Sequence, residues 1–401
     1  MDQIEELLTR GVDTVYPTKE VLEMTLRSGK KLTLYMGFDP TGDKLHVGHM
    51  VGLMKMSDWQ RAGHHVIFLI GDGTGQAGDP SGKTKSRDTF FTTEQLRQNA
   101  RNYVMQAGKI VDFEGENPIE IKYNGDWLNK LDLTKILEIA GHFTLQQMME
   151  RDLYQERLKN NEPVSLREFL YPLLQGYDSA AMQVDLEIGG TDQTFNMLVG
   201  RQLVKDYHGK EKYVMTTPLL ADKDGKKIGK TEGNAIAITD SPNELYAKIM
   251  SFPDDVIVKG FEYLTRIPME DIKTIKDAIA KGGNPMKYKK DLALTVVTML
   301  NNEADAKKAQ EAFESNVQRG ELPTEIEEVT LSDDDDEFIN EELLVELNLA
   351  SSKSDAKRLF QQGGVEVDGK RLTENKESIP VKDGMILKIG KRKIVKLRKP
   401  R

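Results

Sequence analysis

The sequence predicts an α/β protein whose first domain is built on a parallel sheet, followed by a helical domain and a small α+β domain. Residues 31–72 alternate in the order strand, helix, strand, with a helix predicted over 47–61. The continuous apolar run at 66–70 is bounded by glycines, which favours a strand covered on both faces. Such a βαβ unit is typical of a doubly wound, Rossmann-like sheet.

Two later segments extend this pattern. Residues 184–188 form a second strand that leads into a helix, and Thr191 or Asp192 is expected to cap that helix. Ser165 and the glutamate three positions later form a capping-box pattern, which predicts that a helix begins there. Pro172 lies inside that helix and is expected to kink or restart it.

Composition shifts divide the remainder of the chain. From about residue 241 to 320 the pattern is mostly helical, and an acidic stretch over 325–337 indicates a solvated linker. We therefore predict a catalytic domain over 1–222 with an N-terminal helical segment. A helical domain over 223–324, the linker, and a compact unit over 338–401 follow.

Composition excludes several classes of protein. The 401 residues contain no cysteine, so disulfide frameworks, thiolate zinc sites and cysteine nucleophiles are excluded. No apolar run reaches membrane-spanning length and the acidic N-terminus lacks a signal-peptide pattern, so we expect a cytoplasmic protein with no membrane contact.

The net charge of −9 is unevenly distributed. Residues 338–401 carry 15 basic against 9 acidic side chains, whereas the remainder carries 41 against 56. A basic terminus on an acidic body favours contact with a polyanion, although a merely solvated terminus fits the charge equally well.

The most informative segment covers residues 35–49, which predict a strand end, a tight loop and the first turn of a helix. His46 and His49 share one helix face, where free backbone N–H groups attract anions. Gly48 between them leaves room for a nucleotide to approach the backbone. The spacing is not H-E-x-x-H, so no metal site is predicted, and a purely structural histidine pair remains possible.

Two loops rich in lysine and glycine lie far apart in the sequence, at 78–84 and 224–231. Each is one residue short of a Walker A loop. Both loops together could close on one polyphosphate, whereas surface lysines on turns are the alternative for each loop alone. A third set of polar residues suits an amino acid that carries a phenol. It comprises Tyr35, Asp79, Tyr171, Gln175, Asp178 and Gln193.

Together these segments resemble the bacterial-type tyrosyl-tRNA synthetases, which are class I aminoacyl-tRNA synthetases. Residues 46–49 match the HIGH signature with Val for Ile, and residues 227–231 match a variant KMSKS signature. The Leu-Gln-Gly-Tyr-Asp run at 174–178 resembles the tyrosine-specific members. The likeness spans nearly the whole chain. Thr194 and Glu187 depart from one branch of the family, where Trp and Gln stand.

The resemblance implies a role for each matching residue. Tyr35 and Asp178 would bind the phenolic hydroxyl of tyrosine, and Tyr171, Gln175 and Asp79 would hold its ammonium group. The catalytic set is implied to be Thr41, His46, His49, Lys83, Arg87, Lys227, Lys230 and Thr231. ATP or its adenylate would contact Gly37, Asp39, His46, Gly48, His49, Gly190, Asp192 and Lys230, and Gln193 would lie at the reacting carboxylate.

The implied reaction uses ATP with Mg²⁺, held by phosphates and water, to form tyrosyl-adenylate, and the tyrosyl group then passes to tRNA(Tyr). The 338–401 unit resembles a small RNA-binding domain shared with a ribosomal protein, and a homodimer is implied. A tryptophanyl-type synthetase, an H-x-G-H small-metabolite nucleotidyltransferase and a non-catalytic RNA-binding protein remain as alternatives.

Overall fold

The computed structural model describes residues 2–81, 90–225, 227–228, 235–315, 327–331, 338–372, 379–390 and 393–399. The side chains of Asp152, Glu327 and Lys393 are outside this description. The chain divides into two compact units, Met1–Ala306 and Lys307–Arg401. Within the described residues, no helix is both long and apolar enough to cross a membrane.

A six-stranded sheet organises the first unit, in the order β1-β6-β5-β2-β3-β4. Five of the strands run parallel, and only β1 pairs antiparallel, with β6. The strands are β1 (Thr14–Tyr16), β2 (Thr33–Phe38), β3 (His65–Ile70), β4 (Glu120–Tyr123), β5 (Leu186–Gly190) and β6 (Tyr213–Thr217). In register, Tyr35 lies opposite both Ile67 of β3 and Glu187 of β5.

Helices surround this sheet and continue beyond it. They are α1 (Gln3–Thr9), α2 (Lys19–Arg27), α3 (Val47–Arg61), α4 (Thr74–Ala77), α5 (Thr93–Ala107), α6 (Gly125–Leu128), α7 (Leu133–Gly141), α8 (Leu145–Met149), α9 (Asp152–Lys159), α10 (Leu166–Met182) and α11 (Thr194–His208). After the sheet follow α12 (Pro242–Met250), α13 (Ile257–Leu264), α14 (Met269–Ala280), α15 (Pro285–Leu300) and α16 (Glu303–Phe313). Short 3₁₀ turns cover Thr191–Gln193 and Asp254–Val256.

The predicted βαβ unit is present as β2, α3 and β3. Helix α3 has the bounds read from the sequence, Val47–Arg61, and its Trp59 is fully buried. Residues Val66 to Ile70 of β3 are all buried, as expected for a strand covered on both faces. This unit fixes the end of β2, and therefore the start of α3, at one edge of the sheet.

Helix α10 begins where the sequence predicted, but its capping box does not form and Pro172 does not interrupt it. Ser165 makes no side-chain cap hydrogen bond. Glu168 instead pairs with the buried Arg157, at 3.1 Å. Pro172 cannot donate to the Glu168 carbonyl, and the hydroxyl of Tyr154 donates to that carbonyl at 3.0 Å. The helix continues because a distant side chain replaces the missing bond.

The predicted cap of α11 is also wrong. Residues Thr191–Gln193 form a 3₁₀ turn, so α11 begins only at Thr194, after Gln193, without a side-chain cap. The Asp192 carboxylate points instead to the ammonium of Lys227. A contact with another segment has displaced the local capping preference.

The second unit, considered by itself, contains a five-stranded sheet in the order β7-β11-β10-β8-β9. Its elements are β7 (Glu327–Thr330), α17 (Glu341–Glu346), α18 (Lys353–Gln361), β8 (Val365–Val367), β9 (Lys370–Leu372), β10 (Ile386–Ile389) and β11 (Lys393–Arg398). Leu344, Phe360 and Leu387 are among its core residues.

Part of the segment predicted to be an acidic linker is therefore a strand. Strand β7 pairs parallel with β11, Val329 packs on the core, and Leu331 is buried. Alternating apolar residues allow this segment to cover an edge of the sheet despite its acidic neighbours. The aspartates at 333–336 lie outside the described residues.

Candidate active site

A cavity of about 490 Å³ opens at the carboxyl ends of the adjacent strands β2 and β5. The chain leaves β2 towards β3 and leaves β5 towards β6, on opposite sides of this pair. Ligands of parallel α/β sheets bind at such a switch point. Fifteen predicted site residues line the cavity: Tyr35, Gly37, Asp39, Thr41, His46, Gly48, His49, Asp79, Tyr171, Gln175, Asp178, Gly190, Asp192, Gln193 and Lys227. Four others, Lys83, Arg87, Lys230 and Thr231, lie outside the described residues.

The two histidines organise the N-terminus of α3. The Gly48 N–H donates to Nδ1 of His46 at 3.1 Å, and the His46 N–H donates to Nδ1 of His49 at 3.2 Å. The rings stack with their centroids 3.8 Å apart. Because both Nδ1 atoms accept, this hydrogen-bond pattern assigns the neutral tautomer with the proton on Nε2 to each ring. The rings can therefore act as donors towards an anion.

The structure also explains in a second way why position 48 is a glycine. A Cβ atom there would lie 2.9 Å from the His46 ring, which is closer than side chains tolerate. The glycine therefore allows the capping histidine to fold over the helix start.

The lysine-bearing segment reaches the same cavity. Nζ of Lys227 lies 3.1 Å from Oδ2 of Asp192. Further along the chain, the Val47 N–H donates to the Ile236 carbonyl at 3.0 Å, and the Ile238 N–H donates to the Leu45 carbonyl at 2.9 Å. The segment after the lysine loop is thus hydrogen-bonded to the start of the histidine helix, although almost 190 residues separate them.

Tyr35 and Asp178 form the deep end of the cavity, and both are buried. The Asp178 carboxylate accepts from Nδ2 of Asn124 at 2.9 Å and from Nε1 of Trp127 at 2.8 Å. Burial raises the pKa of Asp178 well above its usual value, while those two donors oppose the shift. The Tyr35 hydroxyl bonds to Oγ of Ser179 at 2.8 Å. The expected pair therefore lines one pocket, with each member held by other residues.

The opposite end is rich in oxygen acceptors. The Tyr171 hydroxyl donates to Asp39 at 3.0 Å, and Nε2 of Gln193 donates to Asp79 at 2.9 Å. Burial and the Asp39 carboxylate raise the pKa of Tyr171, so this phenol keeps its proton. In the described part of the chain, the cavity is lined by five carboxylates and two lysines. These are Asp39, Asp79, Asp178, Glu187 and Asp192, with Lys44 and Lys227. The carboxylates at this end, Asp39 and Asp79, suit an ammonium group.

Sequence reasoning missed Asn124, Trp127, Ser179 and Lys212. Asn124 directly precedes the one-turn helix α6 and Trp127 lies in it, and neither belongs to a recognisable motif. Lys212 lies in a charged run that is typical of the surface, yet it is fully buried. No local signal identifies it, because its partners are distant in the sequence.

Comparison with known proteins agrees with this geometry. Residues 27–318 match the family described as tRNA synthetases class I (W and Y), and residues 342–384 match the S4 domain. The chain therefore belongs to the class I tRNA synthetases of the W and Y family. The predicted resemblance and fold class are both confirmed.

Particular relatives agree. A tyrosine–tRNA ligase from Thermotoga maritima is 40% identical, covering 98% of this chain and 96% of that protein. One from Mannheimia succiniciproducens is 40% identical, covering 97% of each. The crystal structure of a C-terminally truncated mitochondrial tyrosyl-tRNA synthetase from Aspergillus nidulans has a TM-score of 0.66 at 25% identity. It covers 77% of this chain and 92% of its own.

Proposed function

We propose that this protein is a tyrosine–tRNA ligase that activates L-tyrosine with ATP and transfers the tyrosyl group to the 3′-terminal ribose of tRNA(Tyr). One observation carries the proposal. A single cavity contains the histidine pair, Lys227 and a deep pocket with Tyr35 and Asp178. Its polyphosphate-binding features and its phenol-binding features therefore adjoin one another.

In the first step a carboxylate oxygen of tyrosine attacks the α-phosphorus of ATP. The bond from that phosphorus to the β-phosphate bridging oxygen breaks, which gives tyrosyl-adenylate and pyrophosphate. His46 and His49 donate to the phosphates, and Lys227 neutralises charge that develops on the leaving group. The path of the nucleotide is lined by Thr41, and Gly37 and Gly48 leave room for it. Lys83, Arg87, Lys230 and Thr231 stay predictions for the same phosphates.

Amino acid recognition follows from the two ends of the cavity. The substrate hydroxyl donates to the carboxylate of Asp178 and bonds to the hydroxyl of Tyr35, and a ligand without that hydroxyl forfeits both hydrogen bonds in a desolvated pocket. Asp79, Tyr171 and Gln175 surround the ammonium group, and Asp192 with Gln193 adjoins the ribose and the reacting carboxylate. Asp39 is bonded to Tyr171 and orients it.

Mg²⁺ enters as the complex with ATP. The described residues contain no group of three His, Cys, Asp or Glu side chains that could hold a metal ion. The phosphates and water supply its ligands, which suits an ion that dehydrates reluctantly.

In the second step a terminal ribose hydroxyl attacks the tyrosyl carbonyl, and AMP leaves. The S4-domain match and the basic residues of 338–401 support contact between this unit and the tRNA body and variable arm. The helical region after residue 241 is proposed to contact the anticodon of the tRNA. A cytoplasmic location stays a prediction.

A homodimer is also proposed. Large apolar side chains on the outer faces of α7 and α10 are exposed, among them Leu133 at 71%, Leu137 at 62% and Leu166 at 76%. Exposed apolar residues on adjoining helices are typical of a protein interface. Mass measurement by light scattering should give twice the chain mass, and Leu133→Glu with Leu137→Glu should lower it.

The decisive experiment is ATP–pyrophosphate exchange with each of the twenty amino acids, followed by charging of tRNA. We expect exchange with tyrosine alone. Exchange with tryptophan would indicate a tryptophanyl-type synthetase, and exchange only with a non-amino-acid metabolite would indicate a nucleotidyltransferase.

A further inference from the structure

Lys227 lies on a short hairpin within residues 220–228. Ala221 and Lys227 pair as an antiparallel bridge, and the Ile228 N–H donates to the Leu220 carbonyl at 2.8 Å. Leu220, Lys227 and Ile228 all line the cavity. The place of the Lys227 ammonium therefore depends on how this hairpin is held against the rest of the protein.

The turn of the hairpin is exposed and is closed by local hydrogen bonds. The Gly225 N–H donates to the Asp222 carbonyl at 3.1 Å, and the Asp224 N–H donates to Oδ1 of Asp222 at 3.0 Å. Lys223, Asp224 and Gly225 are all exposed. A two-stranded hairpin is at best marginally stable in water without further packing. Contacts from outside the hairpin are therefore needed to fix its position.

Two charged side chains of the helical region supply such contacts. The Asp255 carboxylate accepts from the Lys223 N–H at 2.6 Å. The Lys259 ammonium donates to the Ala221 carbonyl at 3.0 Å. Hydrogen bonds to ionised groups are stronger than those between neutral groups. Because one bond is made at the turn and the other at the residue paired with Lys227, together they fix the backbone of the hairpin at two points.

Asp255 and Lys259 are themselves placed by a well-packed element. Asp255 lies in the 3₁₀ turn before α13, and Lys259 lies in α13. Val256, Ile257 and Phe261 are fully buried, and α13 packs against α3, the helix that begins at the histidine pair. An aspartate at a helix start commonly caps that helix, but the N-cap position of α13 is Val256. The Asp255 carboxylate binds the distant hairpin instead.

We propose that Asp255 and Lys259 are positioning residues for adenylate formation, which hold the hairpin so that the Lys227 ammonium faces the departing pyrophosphate. This inference rests on the proposed function. Stabilisation of developing charge requires a group that is already in place, so a small displacement of the hairpin lowers the chemical rate. The deep pocket with Tyr35 and Asp178 lies on β2 and α10, away from the hairpin, so tyrosine affinity is expected to stay unchanged.

Matched variants test the proposal in the full chain. Asp255→Ala removes the acceptor, whereas Asp255→Asn keeps a neutral acceptor oxygen in the same place. Lys259→Met removes the donor and keeps an apolar stem. Asp254→Ala is the control, because Asp254 is the adjacent residue of the same 3₁₀ turn, pairs with Lys289 at 2.6 Å and does not line the cavity. Asp255→Ala is also combined with Lys227→Ala.

The measurements are single-turnover formation of tyrosyl-adenylate and equilibrium titration of tyrosine. Asp255→Ala and Lys259→Met should each slow adenylate formation by about tenfold, as expected for a misplaced group. Tyrosine affinity in both should stay within about twofold of the wild type. Asp255→Asn and Asp254→Ala should form adenylate within about threefold of the wild-type rate. In the Lys227→Ala background, Asp255→Ala should change the rate by less than about twofold, because the group through which it acts is absent.

Three results would overturn the proposal. The first is an unchanged rate in Asp255→Ala or in Lys259→Met, and the second is a rate for Asp255→Asn as low as that for Asp255→Ala. The third is an equal loss of rate from Asp255→Ala with and without Lys227, or a loss of tyrosine affinity in place of the rate. If Asp255→Ala does not fold, as judged by its Tm, Lys259→Met decides. Failure of the proposed function is distinct, because the wild type would then show no tyrosine-dependent exchange.

Discussion

Replacement of Lys227 by alanine separates ground-state binding from transition-state stabilisation. The Lys227–Asp192 pair spans 3.1 Å, and its side chains are 34% and 26% exposed. A partly exposed pair of this kind contributes at most about 1 kcal/mol to stability. A cation placed where charge develops contributes about 3–4 kcal/mol to the transition state. We therefore expect Lys227→Ala to slow adenylate formation by roughly 100- to 1000-fold, at nearly unchanged Tm.

The assay is single-turnover formation of tyrosyl-adenylate, combined with equilibrium titration of tyrosine. An interaction made only at the transition state lowers the chemical rate and leaves substrate affinity intact. Lys223→Ala is the matched control, because Lys223 lies in the same turn, is exposed and does not line the cavity. Weakened tyrosine binding with a normal chemical rate in Lys227→Ala would refute the reasoning. Lys230→Ala is expected to behave like Lys227→Ala.

Three further predictions concern other parts of the chain. Asp178→Ala should lower the ratio of kcat/KM for tyrosine to that for phenylalanine by roughly ten- to a hundredfold, since a buried acceptor for the substrate hydroxyl is lost; equal loss for both would contradict it. His64 is buried and has its pKa lowered from 6.5 to about 4, so the unfolded chain takes up a proton before the folded one does. Stability should therefore fall by up to about 3 kcal/mol between pH 6.5 and 4 through this group. Urea titrations of His64→Gln should lack that part of the decline, and identical pH profiles would refute it. Deletion of residues 338–401 should abolish tRNA charging yet preserve pyrophosphate exchange, and unaltered charging would count against an RNA-binding role.

The sheet and its edge could be predicted because their signals are local. An apolar run flanked by glycines specifies β3, and α3 carries its start signal in His46 and its neighbours. The predicted and the observed strand bounds differ by one or two residues, since hydrogen bonding with neighbouring strands decides where a strand ends. The residues with recognisable motifs could therefore be predicted to lie together, and those that the structure describes line one cavity.

The predictions that failed, and the buried lysine that was not predicted, share a different physical cause. Asp192 was predicted to cap α11, but the ammonium of Lys227 competes for its carboxylate. Pro172 was predicted to kink or restart α10, but the helix runs on through it, and Tyr154 donates to the carbonyl that proline leaves unpaired. Lys212 is buried because Glu187, twenty-five residues earlier in the sequence, neutralises it. In each case a contact across 14 or more residues overrides a local preference, and no short motif contains both partners.

Among the described residues, the excess of carboxylates over lysines in the cavity has a thermodynamic consequence for how a triphosphate and an amino acid with an ammonium group share it. A triphosphate that enters alone meets a negative potential, whereas the ammonium of an amino acid reduces that potential on arrival. Each substrate should then tighten binding of the other, and by reciprocity the two coupling factors are equal. The charges of the cavity alone therefore favour cooperative binding of tyrosine and ATP.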